Sequence, residues 1–349
     1  MKISFRKRFL LCLMVAAVML QAMLVLSSCT PKSGNEDFTL PTRKLAEDAP
    51  VLEYGMYKYQ VYDDGTVILT EYKGSESALT IPDKIDGKPV IALANGLFKG
   101  ITSIQTLRLG KNIEIIGEIC FADCTSLYDI KFNDKLWSIG SWAFYNTPWL
   151  NTQSDEFVVV GDSVLIKYNG SSPVVTIPDN VKHIVDAFEG ATYLVSVDLG
   201  DNLLTVGDYA FAHCDNLRLV RFGKSIRSIG SYAFNECGAL TSLVLPDSLE
   251  SIGAYAFNYC GAITSADLGK GLRIIGNDAF YSCVRLKVLT FSTSLTEIGT
   301  YAFKECNSIM LVYYDGTEAQ LEAISGLSDN VTNSTVWNAR KILTGTTSQ

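Results

Sequence analysis

Cysteine is the residue type whose spacing most suggests chemistry in this chain. Cysteines recur at one position of a 23-residue interval, at Cys124 and then at Cys214, Cys237, Cys260, Cys283 and Cys306. Cys120 makes an additional pair with Cys124. If the protein is exported, such thiols meet oxidising conditions and can form disulfides. Alternatively they can bind zinc. They can also be a row of buried thiols that pack as small hydrophobic groups.

Other catalytic chemistry is sparse. The two histidines, His183 and His213, stand in no recognisable triad or set of metal ligands. No glycine-rich phosphate loop follows a predicted strand. We therefore predict structural roles for both histidines, no catalytic residue, no metal, no cofactor, and a protein that is not an enzyme.

The elements that position these residues are set by a repeat. Phenylalanine recurs every 23 residues, with one step of 44, at Phe98, Phe121, Phe144, Phe188, Phe211, Phe234, Phe257, Phe280 and Phe303. A fixed period of this size is typical of a solenoid, in which each unit stacks on its neighbours. The fold class we predict is a repeat solenoid, a right-handed leucine-rich repeat coil of 23-residue units.

One unit, Ile229–Ser251, shows how each coil is built. Leu240, Leu243 and Leu245 form the L-x-x-L-x-L pattern of a short parallel strand, with Leu243 and Leu245 pointing into the core. The segment beginning at Ile229-Gly230 predicts a helical or irregular turn on the opposite side. Neighbouring coils should lie about 4.8 Å apart.

That spacing decides between the interpretations of the cysteines. Zinc needs about four ligands at roughly 2.3 Å from one point, and a column of thiols spaced about 4.8 Å apart brings only two that close. A disulfide needs Cβ atoms about 3.8 Å apart, and parallel side chains in a ladder stay near the ladder spacing. The geometry favours a ladder of buried free thiols.

The repeat also predicts the organisation of the chain. We expect an N-terminal β cap at 51–90, the solenoid at 91–315 and a C-terminal cap at 316–349. Within the solenoid, an insertion near 151–173 reads as a hairpin, with strands at 157–160 and 163–168 joined by a two-residue turn. In the C-terminal cap, Thr317 and Gln320 predict a capping box that opens a short helix.

The N-terminus carries an export signal. Residues 1–8 are basic, 9–26 are apolar except for Gln21, and Leu26-Ser27-Ser28 leads to Cys29. The cysteine after these small residues resembles the lipobox of bacterial lipoproteins, which implies cleavage of residues 1–28 and lipidation of Cys29. The alternative is an uncleaved membrane span. Residues 29–50 read as a flexible tether, and Glu36-Asp37 resembles an acidic surface-export signal.

A family can be named from the repeat. The recurring pattern Ile-Gly-x-x-Ala-Phe-x-x-Cys-x-x-Leu-x-x-Leu-x-Leu resembles the BspA-type leucine-rich repeats of bacterial surface proteins. The resemblance covers about residues 55–345 and implies binding to host proteins, matrix proteins or neighbouring cells. It points to no single ligand.

Two stripes of residues are candidate binding surfaces. The first is the outward residue of each predicted strand: Arg108, Lys131, Asp198, Arg221, Val244, Asp267, Thr290 and Tyr313. Repeat proteins commonly bind along such a surface. The second is the aromatic residue two positions before a repeat phenylalanine: Trp142, Tyr209, Tyr232, Tyr255 and Tyr301. These rings suit sugars, or they shield the turns by stacking on one another.

Charge and export narrow the function. Residues 1–28 hold four basic and no acidic residues, so the remainder has 25 basic and 37 acidic residues and a formal charge of −12. This balance argues against nucleic acid and against anionic lipid, beyond the lipid anchor itself. We expect a lipid-anchored protein, at the outer membrane and cell surface, that binds a host, matrix or neighbouring-cell protein. A glycan-binding lipoprotein and a surface spacer without a ligand are the alternatives.

The thiol ladder makes a countable prediction. Denatured protein that starts at residue 30 should react with seven equivalents of a thiol reagent, because every cysteine of the ladder is reduced and Cys120 is free as well. The native protein should react slowly, since buried thiols are inert. Substantially fewer than seven reactive thiols after denaturation would show disulfides instead.

Overall fold

The computed structural model describes residues 43–46, 48–327 and 333–345. Two series of short parallel strands run along the molecule, one on each side of an apolar core that consists of two clusters of buried residues. The predicted leucine-rich repeat coil is confirmed: it is a β-solenoid of 23-residue turns with little helix.

The first series carries the L-x-x-L-x-L pattern. Its strands are β4 (Ala78–Thr80), β7 (Thr106–Arg108), β9 (Asp129–Lys131), β13 (Val174–Thr176), β15 (Ser196–Asp198), β17 (Leu219–Arg221), β19 (Ser242–Val244), β21 (Ser265–Asp267), β23 (Val288–Phe291), β25 (Leu311–Tyr314) and β26 (Arg340–Leu343). Side chains alternate, so the middle residue is buried and its neighbours point outward. Leu243 is buried, for example, between exposed Ser242 and Val244. We call the outward surface of this series the strand face.

The second series ends, in each regular coil, at the isoleucine or valine that directly precedes the repeat glycine. Its strands are β8 (Ile115–Ile116), β10 (Ser138–Ile139), β14 (His183–Ile184), β16 (Thr205–Val206), β18 (Ser228–Ile229), β20 (Ser251–Ile252), β22 (Ile274–Ile275) and β24 (Glu297–Ile298). The pattern predicted one strand per unit, and this second strand is an addition. The helical alternative for this side is wrong, because each coil forms a two-residue strand and hydrogen-bonded turns instead.

Both ends carry additional elements. At the N-terminus, β1 (Leu52–Tyr54), β2 (Tyr57–Val61) and β3 (Val67–Tyr72) form an antiparallel meander, and β5 (Lys84–Ile85) pairs with β6 (Lys88–Leu93). At the C-terminus, α2 (Glu318–Glu322) begins at Thr317 with the predicted capping box, which is confirmed. It is followed by α3 (Ser334–Trp337).

The middle of the array holds the insertion. It forms α1 (Pro148–Asn151) and an antiparallel hairpin of β11 (Phe157–Val160) and β12 (Val164–Tyr168). The predicted two-residue turn is wrong, because Ser163 has a positive φ of 66° and joins the loop. The loop therefore has three residues, a common hairpin length.

The insertion divides the sheets. The second series forms two of them, with the orders β1-β2-β3-β6-β8-β10, to which β5 is added on β6, and β11-β12-β14-β16-β18-β20-β22-β24. The first series forms three sheets, with the orders β4-β7-β9, β13-β15-β17 and β19-β21-β23-β25-β26. Both series therefore lack continuous pairing at the insertion, and the first series is interrupted a second time, between β17 and β19.

The repeat phenylalanines form the centre of the core. Successive rings stack with centroids 4.9–5.5 Å apart and planes within 13° of parallel, from Phe98 to Phe144 and from Phe188 to Phe303. The spacing matches the strand spacing of about 4.8 Å. Each repeat phenylalanine is nearly or fully buried.

The cysteines lie beside this stack as a ladder of free thiols. All seven cysteines in the described part of the chain are buried and unpaired with one another. Six thiols lie 3.0–3.3 Å from the carbonyl oxygen of a phenylalanine in the preceding coil and donate to it. Burial raises the pKa of Cys260 to about 12 and of Cys124 to about 11, which keeps both thiols protonated and unreactive.

The chain turns sharply on both sides of each phenylalanine. The residues two before and two after it have a positive φ in most coils, and Gly96 and Gly100 take both positions around Phe98. Gly190 takes the second position around Phe188, and non-glycine residues take the remaining left-handed positions, with φ between 47° and 64°. The left-handed region disfavours a Cβ atom by roughly 1–2 kcal/mol, so every coil with a non-glycine residue there stores strain.

This strain predicts which of two substitutions at a left-handed position gives the more stable protein. Glu236 has a φ of 60°, and we expect Glu236→Gly to unfold with a free energy roughly 0.5–1 kcal/mol above that of Glu236→Ala. Urea denaturation measures the difference, and both variants lose the same side-chain contacts.

At Thr241, which is exposed and has no positive φ, the order should reverse, because glycine there only adds freedom to the unfolded chain. An alanine variant at Glu236 as stable as the glycine variant would contradict the assignment of strain.

Candidate functional site

The strand face brings the first predicted stripe together in three runs rather than one. Arg108 lies opposite Lys131 in register. Asp198 lies opposite Arg221. The third run is continuous, from Val244 through Asp267 and Thr290 to Tyr313. The insertion separates the first run from the second, since β9 and β13 belong to different sheets.

The charges of the stripe differ in how they are balanced. Arg221 forms ion pairs with Asp198 at 2.8 Å and with Asp201 at 3.3 Å. The guanidinium of Arg221 lowers the pKa of both carboxyl groups. Arg108 and Lys131 instead stand side by side as two exposed cations. The strand face therefore carries two neighbouring cations at one end, with Asp129 on the same strand as Lys131, and is internally neutralised near its middle.

Val244 of the predicted stripe is one of several exposed aliphatic side chains on this face, and sequence reasoning missed the others. Val174 is 64% exposed, Leu219 59% and Val244 68%, and Val195 lies beside them at 38%. Val174 and Leu219 flank Ser196 in register. The signal was present, because a three-residue strand points both its first and its third residue outward. Only the third was taken as a candidate.

The aromatic stripe is largely assembled. Trp142 packs against Tyr209 at 4.6 Å with the ring planes tilted by 38°. Tyr209 stacks on Tyr232 at 4.9 Å, and Tyr232 stacks on Tyr255 at 4.7 Å. Tyr301 stands apart, because Asp278 occupies the intervening position of the column, and its ring lies under the ammonium group of Lys304. We call the four rings of Trp142, Tyr209, Tyr232 and Tyr255 the ring ladder.

The ring ladder closes over one coil. Trp142 and Tyr209 belong to coils on either side of the Phe188 coil, so regular spacing would place them about 10 Å apart. The Phe188 coil is one residue short. Its residue two before the phenylalanine is Asp186, which has no positive φ, whereas the other coils have a protruding left-handed turn at this position. Ser141 donates a hydrogen bond of 3.0 Å to the carbonyl of Asp208 across the same gap. The missing residue thus lets the flanking coils touch.

The histidines have structural surroundings. His183 is buried, its Nδ1 lies 2.9 Å from the hydroxyl of Thr205, and burial lowers its pKa to about 4. His213 lies 3.2 Å from a carboxylate oxygen of Glu236. Within the described residues, no group of three or more histidine, cysteine or acidic side chains is arranged to hold a metal ion.

The comparisons with known proteins address the family. The model of the BspA type leucine rich repeat region matches residues 91–186 and 185–310, in six copies. The chain belongs to this BspA-type family. No curated protein sequence matches it.

Solved structures resemble this BspA-type protein at low identity. A leucine-rich repeat protein of T. pallidum is 22% identical, covering 74% of this chain and 91% of its own, with a TM-score of 0.29. A leucine rich cell surface protein of Faecalibacterium prausnitzii is 20% identical, covering 80% and 99%, with a TM-score of 0.39. The pneumococcal vaccine antigen PcpA is 16% identical, covering 84% and 98%, with a TM-score of 0.46.

The signal for an anchor lies elsewhere in the chain. Cys29, the predicted lipidation site, is outside the described residues. Among the residues with described positions, no helix is long and apolar enough to cross a membrane.

Three carboxyl groups lie close to the start of the ring ladder. Burial, together with the charge of Asp208, raises the pKa of Glu118 to about 7. Burial and the charge of Glu189 raise the pKa of Asp186 to about 7. Burial raises the pKa of Asp208 to about 6. The unfolded chain titrates near pH 4 at all three, so the folded state binds protons more tightly, and these groups reduce stability as the pH rises from about 4 to 7.

The sign can be tested at Glu118. We expect Glu118→Gln to increase the free energy of unfolding at pH 8, on the order of 1 kcal/mol, because the amide removes the cost of ionising a buried carboxyl. At about pH 4, where the carboxyl is mostly protonated in both states, the variant should match the parent. Urea denaturation at the two pH values measures this. The exposed Glu322, changed to glutamine, is the control and should show no such difference.

Proposed function

We propose that this BspA-type protein is a lipid-anchored surface protein that binds a protein partner through its strand face. The partner belongs to a host, to the matrix or to a neighbouring cell. The role is binding rather than catalysis. The anchor rests on the sequence of residues 9–29, where an apolar run and small residues precede Cys29. The leucine-rich repeat fold supports a binding role, because stacked coils present an extended surface.

One observation carries the proposal: the aliphatic patch on the strand face. Val174, Leu219 and Val244 are each more than half exposed, although valine and leucine are among the residues most often buried. Exposed apolar side chains grouped on one surface, with polar residues around them, are typical of interaction sites. Val174 and Leu219 lie on either side of Ser196, and Val244 lies on β19, in the next sheet of the strand face. Here the surrounding residues are the Asp198–Arg221 ion pair and Asp267.

The chemistry of the patch favours a protein over other ligands. Aliphatic side chains offer a sugar no hydrogen bonds, and the acidic balance of the chain disfavours a polyanion. A protein interface, by contrast, has an apolar centre within a polar rim. The cationic pair of Arg108 and Lys131 then contributes to the rate of association more than to affinity.

Binding to an array of matrix glycoproteins, plasma proteins and glycans tests the proposal. The chain from residue 30 onward should bind at least one protein saturably. We expect the double variant Leu219→Glu and Val244→Glu to lose at least tenfold in affinity, because each carboxylate would be buried without a partner.

Val284→Glu is the matched control. Val284 is 48% exposed and lies in a turn outside the strands, so the same charge there should leave binding unchanged. A second variant with Arg108 and Lys131 changed to alanine should slow association and weaken its salt dependence. Equal loss in the Val284 control would contradict the strand face as the site. If no protein on the array binds, the proposal fails and the alternative of a surface spacer without a ligand is favoured.

A further inference from the structure

The insertion leaves a cavity where the phenylalanine stack is interrupted. The stack ends at Phe144 and resumes at Phe188, and the rings that fill the gap come from the insertion. Trp149 packs against Phe144 at 5.3 Å, and Tyr168 packs against Phe188 at 4.9 Å. Neither ring continues the parallel stack, since their planes are tilted by 64° and 31°. A partly enclosed space of about 210 Å³ lies between Phe144 and the inserted residues Leu150 and Ile166.

Separate segments build its apolar walls. Phe144 comes from the turn after β10, Leu150 from α1 and Ile166 from β12, and Ala187 lies in the short coil after β14. These side chains are far apart in sequence and converge only because the insertion returns into the array.

The polar lining contains hydrogen-bond donors and acceptors. Asp186 and Glu189 contribute carboxyl groups, Lys167 an ammonium group and Asn151 an amide, and Trp142 adds the first ring of the ring ladder. The two carboxyl groups disfavour an anionic ligand. Both already accept hydrogen bonds from Trp142, and the ammonium group of Lys167 repels a cation that would compete for them. A neutral ligand with several hydroxyl groups can use both kinds of partner, since each hydroxyl donates and accepts.

The lining is held in place before any ligand arrives. The ring of Trp142 packs against Tyr209, and its Nε1 donates a hydrogen bond to the carboxylate of Glu189 at 2.7 Å. The backbone nitrogen of Trp142 donates to the carboxylate of Asp186 at 2.6 Å. Lys167 donates to the carbonyl of Leu150 at 3.0 Å, which ties β12 to α1. Ligand sites are usually preformed in this way, with apolar walls and a few fixed polar groups.

From this lining we propose that the cavity binds one neutral sugar ring of a glycan. The size agrees, because the volume is below the roughly 300 Å³ at which pockets for drug-sized ligands begin and suits a single ring. A pyranose has apolar C–H faces for the aliphatic walls and the indole, and hydroxyl groups for the polar lining. The site contains no strand-face residue, so it is independent of the proposed protein-binding surface.

Titration with neutral monosaccharides tests the proposal. The probes are glucose, galactose, mannose and N-acetylglucosamine, added to the protein from residue 30 onward, with binding followed by calorimetry and by tryptophan fluorescence. We expect at least one to bind saturably in the millimolar range with a change in fluorescence, because Trp142 lines the cavity. Asn151→Ala and Lys167→Met should each weaken that sugar at least tenfold.

Two controls separate the cavity from other surfaces. Tyr301→Ala removes an exposed ring that is outside the ring ladder and should leave sugar affinity unchanged. The strand-face double variant Leu219→Glu and Val244→Glu should also keep it, so that failure of either proposed site is recognised separately. Circular dichroism and the urea midpoint show whether each variant is folded.

Three results would overturn the proposal. The first is no binding of any neutral sugar up to tens of millimolar. The second is binding that the folded Asn151 and Lys167 variants retain in full, which would place the sugar elsewhere. The third is preferential binding of a charged probe, lysine amide or glucuronate, which would contradict the neutral ligand inferred from the lining.

Discussion

The spacing between neighbouring coils is the constraint on which the rest of the structure depends. Parallel strands fix it near 4.8 Å, and the phenylalanine rings adopt almost the same interval, 4.9–5.5 Å. Offset parallel rings are in contact at this centroid separation, which explains why one residue type fills the position in nine coils. Pointing that ring inward requires a sharp turn before it and another after it. The left-handed residues at both turns, such as Tyr232 and Glu236, are therefore a cost of the central stack.

The same constraint explains why a small irregularity has large consequences. When Asp186 takes the place of a protruding turn, no ring from that coil separates its neighbours, and Trp142 reaches Tyr209. When the insertion supplies Trp149 and Tyr168 instead of a phenylalanine, their tilted rings cannot fill the interval evenly. Both series of strands lose their continuous pairing at the insertion. The distinctive surface of the molecule is thus generated where the period fails.

Periodicity made the fold predictable, and its limits show which physical terms it omits. The interval between phenylalanines determines the coil, and the burial of Leu243 and Cys237 follows from their columns. The second strand was not predictable in the same way, because two residues at the Ile-Gly position carry too little alternation to signal extended structure. The left-handed turns were indicated only where glycine takes the position, at Gly96, Gly100 and Gly190, since Tyr232 and Glu236 are unusual residues for that conformation. The cavity was beyond prediction, because Leu150, Ile166 and Asp186 meet only through the return of the inserted segment.

The two candidate surfaces differ in the kind of ligand that their shape permits. The strand face is built from side chains at a fixed interval on a regular sheet, so it has breadth but little depth. Its exposed valines and leucine can be covered only by another broad apolar surface, which a protein provides and a single sugar does not. The cavity at the insertion has depth and a mixed polar lining but room for one ring. Because its walls share no residue with the strand face, a substitution on either surface tests one ligand without disturbing the site of the other.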